Sequence, residues 1–460
     1  MIILHYLHGM PPIYGGGLVN YALDLAKEQK NQGHCVDIIV PGRYVCDINN
    51  KYLEGSIEES RWEELVLYKI NNTIPVTNGK AINPLELLYN ELPNPELNNL
   101  LKIKLYDVIH IHSFMGLPMQ LLKFAKELGI TTVFTTHDYY GLCPNAILLQ
   151  GDVQCEDNSG NKCAQCLGTP IGVRKLERKN NYIYVKLKQC HFWKWLEFSP
   201  TLITMKCLLM KLRVGKSVPK NIIQKDERYL ELQKHYREMF SYIDIFHFNS
   251  WLSKDVYEQL LGPLNGEVIH VALKDISDHR ILKQYAGKLK IGYIGRNTFK
   301  GFDLLKEALE ILKSSGNDDF ECQIYNNSKE VLPSYFKRYK PYSEDEKADV
   351  FGRMDVLVLP SVWKETFGLT VLEALSYGVP VVVTKYVGAK DIIESINNSG
   401  FVIESNSKDL ANVLRELLNN RAILRRMNES ICTSDWKFNY TKHVDKIIQL
   451  YRREKWKIQQ

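Results

Sequence analysis

The 460-residue chain contains no window of 18 uncharged apolar residues, so no segment is expected to span a bilayer. It has no low-complexity tract and no short-period repeat, which argues against disordered and solenoid classes. The start, MIILHYLHGM, has neither a basic n-region nor a small-residue cleavage site, and is read as a first buried strand rather than an export signal. Without an export signal the ten cysteines are expected in a reducing cytoplasm, which argues against a disulfide framework. Net charge is low at +6, and no nucleic-acid-binding module is present, so nucleic acid is not an expected partner. What charge there is sits locally: residues 171–220 hold twelve Lys/Arg against Glu177 and Glu197.

The length exceeds what one ordinary core fills and suits two domains. In the first half, MIILHYL, HCVDIIVPG, YDVIHIHS and TTVFTTHD read as strands, alternating with helical patterns such as GLVNYALDLAKEQKNQG and GLPMQLLKFAKELG. The plan restarts near Leu289 with LKIGYIGR, GFDLLKEALEILKSSG, FECQIYN, DVLVLP, TVLEALSYG and VPVVVTK. The expected class is α/β, with two doubly wound Rossmann-like domains facing a cleft and ligands beyond the C-terminal strand ends.

One stretch carries chemistry. KETFGLTVLEAL, residues 364–375, follows the strand DVLVLP and puts Glu365 on a strand-to-helix loop, a Phe-Gly pair at the helix start, and Glu373 inside the helix. Such a helix start offers unpaired N–H groups, so the Phe367, Gly368 and Leu369 backbone forms an anion cradle. A phosphate held between two hydroxyl-binding acids describes a sugar nucleotide. Without that context Glu365 would read as a solvated loop acid and Glu373 as a surface helix position.

The pattern E-x-F-G-x-x-x-x-E, followed by ALSYGVPVVVTKYVGAKDII, resembles the signature of the retaining GT-B glycosyltransferases of family 4 (glycosyl transferases group 1). The resemblance implies that Glu365 contacts the donor sugar, Glu373 the nucleotide ribose, and the Phe367, Gly368 and Leu369 amides the diphosphate. IGYIGRNTFKG resembles the family's G-R-x-x-x-x-K-G loop with one residue fewer, which implies that Arg296 and Lys300 neutralise the leaving diphosphate. Gly16 and Gly17 match the Gly-rich loop that approaches the donor phosphate from the opposite domain. His137 matches the His beside the reacting sugar, and His112 is a candidate on the acceptor side.

The resemblance further implies domains at 1–272 (acceptor side) and 273–432 (donor side), with a final helix, 433–460, returning to the first. It implies transfer of a hexosyl group from a nucleotide-diphosphate sugar to a hydroxyl of a growing surface glycan or lipid-linked saccharide, in the cytoplasm, with no cofactor required for catalysis. A non-catalytic nucleotide-sugar-binding partner and a GT-B sugar-nucleotide epimerase are the competing readings.

Two features stand apart. Cys143, Cys155, Cys163 and Cys166, ending in C-x-x-C within a polar loop, leave three readings open: a structural zinc site, unliganded thiols, or disulfides. The basic stretch 171–220 and its surrounding insertion, about 171–225, interleave aromatics with Lys and Arg. They read either as an element on an anionic membrane face or as an insertion packed on the first domain.

Overall fold

The computed structural model describes residues 1–43, 55–73, 94–151, 153–157, 159–160, 162–167, 227–295, 298–326, 330–436 and 439–457. The basic stretch 171–220 therefore lies outside the described residues. The first half runs β1 (Ile2–Tyr6), α1 (Gly17–Asn31), β2 (Cys35–Pro41), β3 (Ser56–Trp62), β4 (Leu65–Asn71), α2 (Pro95–Lys104), β5 (Val108–Ile111), α3 (Met119–Glu127) and β6 (Thr131–Thr135). It continues through a two-residue hairpin, β7 (Leu149–Gln150) and β8 (Val153–Gln154), then α4 (Cys163–Leu167), α5 (Glu227–Ser241), β9 (Ile245–Phe248), α6 (Trp251–Leu261) and β10 (Gly266–Val268). The second half runs β11 (Leu289–Tyr293), α7 (Phe302–Ser314), β12 (Phe320–Tyr325), β13 (Phe336–Tyr339), α8 (Lys347–Gly352), β14 (Val356–Leu359), α9 (Leu369–Ser376), β15 (Val381–Thr384), α10 (Lys390–Ser395), β16 (Gly400–Ile403), α11 (Ser407–Asn419), α12 (Arg421–Thr433) and α13 (Tyr440–Lys457).

These strands form two large sheets. The first has the order β10-β9-β6-β5-β1-β2-β4-β3 and is parallel apart from the β3–β4 pair; the second, β13-β12-β11-β14-β15-β16, is parallel throughout. Parallel strands need crossovers, and the helices that supply them cover both faces, so the central strands are buried on both sides. Alternate residues go to opposite faces. Ile3, Val108, Val133 and Ile245 join one apolar cluster, while Leu4, Ile109, Phe134 and Phe246 join another. Strand order reverses around β1/β5 in the first sheet and β11/β14 in the second, which opens a crevice at the C-terminal ends of each.

The two halves meet at those ends. Ser250 Oγ, at the N-cap of α6, donates to the Thr366 carbonyl at 2.6 Å, and Thr366 Oγ1 donates to the His137 carbonyl at 2.7 Å. Trp251 N donates to Asp391 Oδ2 at 2.8 Å, and Gln154 Nε2 to the Val362 carbonyl. The last helix, α13, lies against the first sheet and α1: Val444, Ile447 and Tyr451 are fully buried, and Gln32 Nε2 donates to Asp445 at 3.0 Å. Burying three such side chains contributes roughly 5 kcal/mol, an upper figure because the unfolded chain already buries part of them.

Candidate active site

Loops from both sheets enclose a cavity of about 240 Å³. Gly17 and Tyr21 come from the start of α1, His137 from just beyond β6, and Lys300 from the turn after β11. Trp363, Glu365, Thr366, Phe367 and Gly368 come from the loop after β14, with Leu369 opening α9. Gly368 is the N-cap, at φ +102°, a conformation that favours glycine; a Cβ there would also stand 2.9 Å from Val387 Cγ1. No side chain caps α9 and no acid sits in its first turn, so the positive end of the helix lies at residues that line the cavity without a capping side chain. Across the cleft, a Cβ on Gly17 would reach within 2.5 Å of Leu369 Cδ1, so the bare glycine backbone is what lets α1 approach α9.

Inside the cavity Lys300 Nζ pairs with Glu365 Oε1, and Glu365 Oε2 accepts from Ser361 Oγ at 2.7 Å. The loop holding Glu365 is pinned by its backbone: its N–H donates to the Tyr386 carbonyl at 2.7 Å and its carbonyl accepts from Gly388 at 2.9 Å. The indole Nε1 of Trp363 and Oδ1 of Asn249 are buried without a partner among the described residues, and both residues line the cavity. Buried polar atoms of that kind are normally satisfied, and here a polar ligand would satisfy them. His137 stays neutral, since burial and then the neighbouring His247 hold its pKa well below the ordinary value. Asp138 is not among the lining residues. Burial raises its carboxyl to about 6, against the Tyr140 N–H bond that lowers it. A positive helix end, a cation paired to a carboxylate, and a neutral imidazole thus meet in one cleft between the two sheets.

Sequence comparison matches residues 275–431 to the family "Glycosyl transferases group 1" and residues 15–151 to "Glycosyltransferase Family 4". The chain belongs to the group 1 GT-B glycosyltransferases. A probable glycogen synthase of Methanocaldococcus jannaschii is 25% identical over 311 residues, covering 64% of this chain and 57% of that protein. Among the first curated relatives the chain spans from 14% to that 57% of the relative's length. Sucrose-phosphate synthase of Thermosynechococcus elongatus superposes with a TM-score of 0.56 at 15% identity, over 98% of this chain and 99% of that one. Anabaena HepE, solved with UDP and glucose, gives 0.53 at 14% identity, over 98% of each chain. At such identities the structural likeness establishes the GT-B fold.

In this GT-B frame the residues singled out from sequence do not all reach the cavity. Gly17, His137, Lys300, Glu365, Phe367, Gly368 and Leu369 line it. Gly16 stands just before α1 as its N-cap, at φ +110°. His112 lies one imidazole behind His137, its Nδ1 3.2 Å from His137 Nε2. Glu373 is not among the lining residues; its Oε1 is 2.9 Å from Lys347 Nζ, and its Oε2 accepts from Tyr342 Oη at 3.2 Å. Arg296 lies outside the described residues. The thiols of Cys143, Cys155, Cys163 and Cys166 are free, and no three of their sulfurs come within 4.8 Å of one another. Cys143 and Cys155 precede α4, which carries Cys163 and Cys166, and burial and then the other three sulfurs push the Cys163 thiol up to about 12. Tyr21, Asn249 and Trp363 went unnoticed in the sequence, because nothing in their neighbours separates them from ordinary core residues.

Proposed function

We propose that the protein transfers a sugar from a nucleoside-diphosphate sugar to a hydroxyl of a saccharide acceptor, with retention of anomeric configuration. The observation that carries this is the uncapped start of α9 facing the Lys300–Glu365 pair, with His137 closing the same cavity from the other sheet. A departing nucleoside diphosphate gathers negative charge. The α9 amides and Lys300 are fixed where they would stabilise it without reorganising. Glu365 would then accept hydrogen bonds from donor-sugar hydroxyls, while the acceptor enters from the side of α1 and His137. The leaving phosphate takes the acceptor's proton, so rate comes from positioning and electrostatics in a closed cleft. HepE, solved with UDP and glucose, supports a nucleotide sugar as donor.

The test is release of nucleoside diphosphate from a panel of UDP, GDP, ADP and dTDP sugars, with a saccharide acceptor series and NMR of the product anomer. One donor is expected to be consumed, the product to keep the donor's anomeric configuration, and Glu365→Ala to abolish release. An inverted product would refute retention. Donor binding without release across the acceptor series would point to a non-catalytic partner instead.

A further inference from the structure

Behind His137 the first sheet carries a row of buried polar residues on one face. Parity puts them there: His5 follows Ile3 by two, His110 follows Val108, Thr135 follows Val133 and His247 follows Ile245, so all share the face under α1 and α13. His5, His110 and His112 bring ligand atoms within 4.8 Å of one another. Both ring nitrogens of each already face a hydrogen-bond partner, which makes the cluster a relay of hydrogen bonds and not a metal cage.

The polarity of that relay follows from its far end. The Ile269 carbonyl can only accept, so His247 Nε2, 2.8 Å away, carries the proton. His247 Nδ1 is then bare and accepts from Thr135 Oγ1 at 2.9 Å. With its own proton so engaged, Thr135 accepts from His110 Nε2–H at 2.7 Å. His110 Nδ1 is therefore bare and accepts from Tyr451 Oη at 2.5 Å, which leaves the phenol oxygen to accept from Gln29 Nε2 at 3.1 Å. The amide orientation is now fixed, and Gln29 Oε1 accepts from His5 Nε2–H at 2.7 Å. His5 Nδ1 accepts from His112 Nε2–H at 3.0 Å, and His112 Nδ1 accepts from His137 Nε2–H at 3.2 Å. Every intermediate group is at most 1% exposed, so water does not interrupt the sequence.

We propose that this one-directional chain sets the tautomer of His137, so that its Nδ1 stands bare in the cavity and accepts a hydrogen bond from a substrate hydroxyl. On this basis Tyr451, Gln29, His5 and His112 are positioning residues, acting through His137 from as far away as the last helix. The inference rests on the proposed transferase reading only in calling the hydroxyl a substrate's. Neutral imidazoles are required throughout, and burial supplies them: His5 and His247 are lowered to about 4, and His110 and His112 fall well below the ordinary value. The His137 carbonyl is held separately by Thr366 Oγ1, so ring and backbone are both fixed.

The test is two-bond ¹H–¹⁵N NMR on the full chain labelled at histidine, without ligand, with His137 assigned by loss of its signals in His137→Asn. The expected spectrum has His137 protonated at Nε2 and bare at Nδ1. A proton on Nδ1, or an imidazolium at pH 7, overturns the proposal. Tyr451→Phe cuts the link to Ile269 and frees the Gln29 amide to turn over, so both His137 tautomers are expected. In that variant kcat should fall about two- to fivefold with the donor KM unchanged, the loss tracking the fraction in the wrong tautomer. A single, unaltered tautomer in Tyr451→Phe also overturns it. Should that variant not fold, the wild-type spectrum still decides. The tautomer is read without substrate, so a failure of the proposed activity leaves it standing, and a wrong tautomer leaves the activity standing.

Discussion

Lys300 and Glu365 neutralise each other in the cavity, and cutting that pair should separate stability from activity. The Glu365 residue is 6% exposed, with its carboxylate held by Lys300 and by the Ser361 hydroxyl at 2.7 Å. Lys300→Met keeps the stem but strands the carboxylate with one neutral donor. An orphaned charge in a dry core costs about 3–5 kcal/mol; the remaining hydroxyl and the open cavity mouth bring this to about 2 kcal/mol here. Glu365→Gln is milder, about 1 kcal/mol, because the 24% exposed Lys300 side chain can turn to water. In the double variant no charge is stranded, so its loss should be smaller than the sum of the two by about 1–2 kcal/mol. Nucleoside-diphosphate release should behave oppositely. Each single variant loses about 10²–10³-fold in kcat, and the double variant recovers nothing. Urea unfolding midpoints and donor turnover on the same four proteins make the measurement. Strictly additive stability losses would refute the coupling, and recovered turnover in the double variant would refute Lys300 as the cation serving the leaving phosphate.

Three further outcomes can be checked. Gly368→Ala forces a side chain into φ +102° and against Val387, and should cost about 2 kcal/mol in urea unfolding while weakening nucleoside-diphosphate binding measured by calorimetry. Asp138 is raised by burial to about 6, so the folded state binds more protons than the unfolded one between about pH 4 and 6, and its stability falls as pH rises through that window. Asp138→Asn removes the buried charge while its amide oxygen can keep the Tyr140 N–H bond; it should gain about 2 kcal/mol at pH 7, and nothing near pH 3, in urea unfolding at the two pH values. Thr366→Val deletes the bond from Thr366 Oγ1 to the His137 carbonyl between the two halves. It should lower kcat about tenfold at nearly unchanged Tm, because the misplaced group is the imidazole and not the core.

Legibility in the sequence followed how local each physical cause is. The strands, the doubly wound order and the start of α9 come from apolar runs, helical periodicity and one glycine, all contained within a few residues. The structure brings Glu365, Phe367, Gly368 and Leu369 into one cavity with Lys300, although the partners come from different loops. Glu373 shows the limit: its spacing puts it one to two turns into α9, but its partners in the structure, Lys347 and Tyr342, belong to the segment before β14 and carry no local mark. The histidine relay lies deeper still. HIHS does display two imidazoles on one strand face, but only the register His5↔His110 between β1 and β5 brings the third beside them. The direction of the relay depends on a carbonyl at Ile269 and a phenol at Tyr451, residues 182 apart in the chain. A sequence states which groups can carry a proton. Which of them does carry it is decided by closure of the whole fold around one acceptor that cannot give.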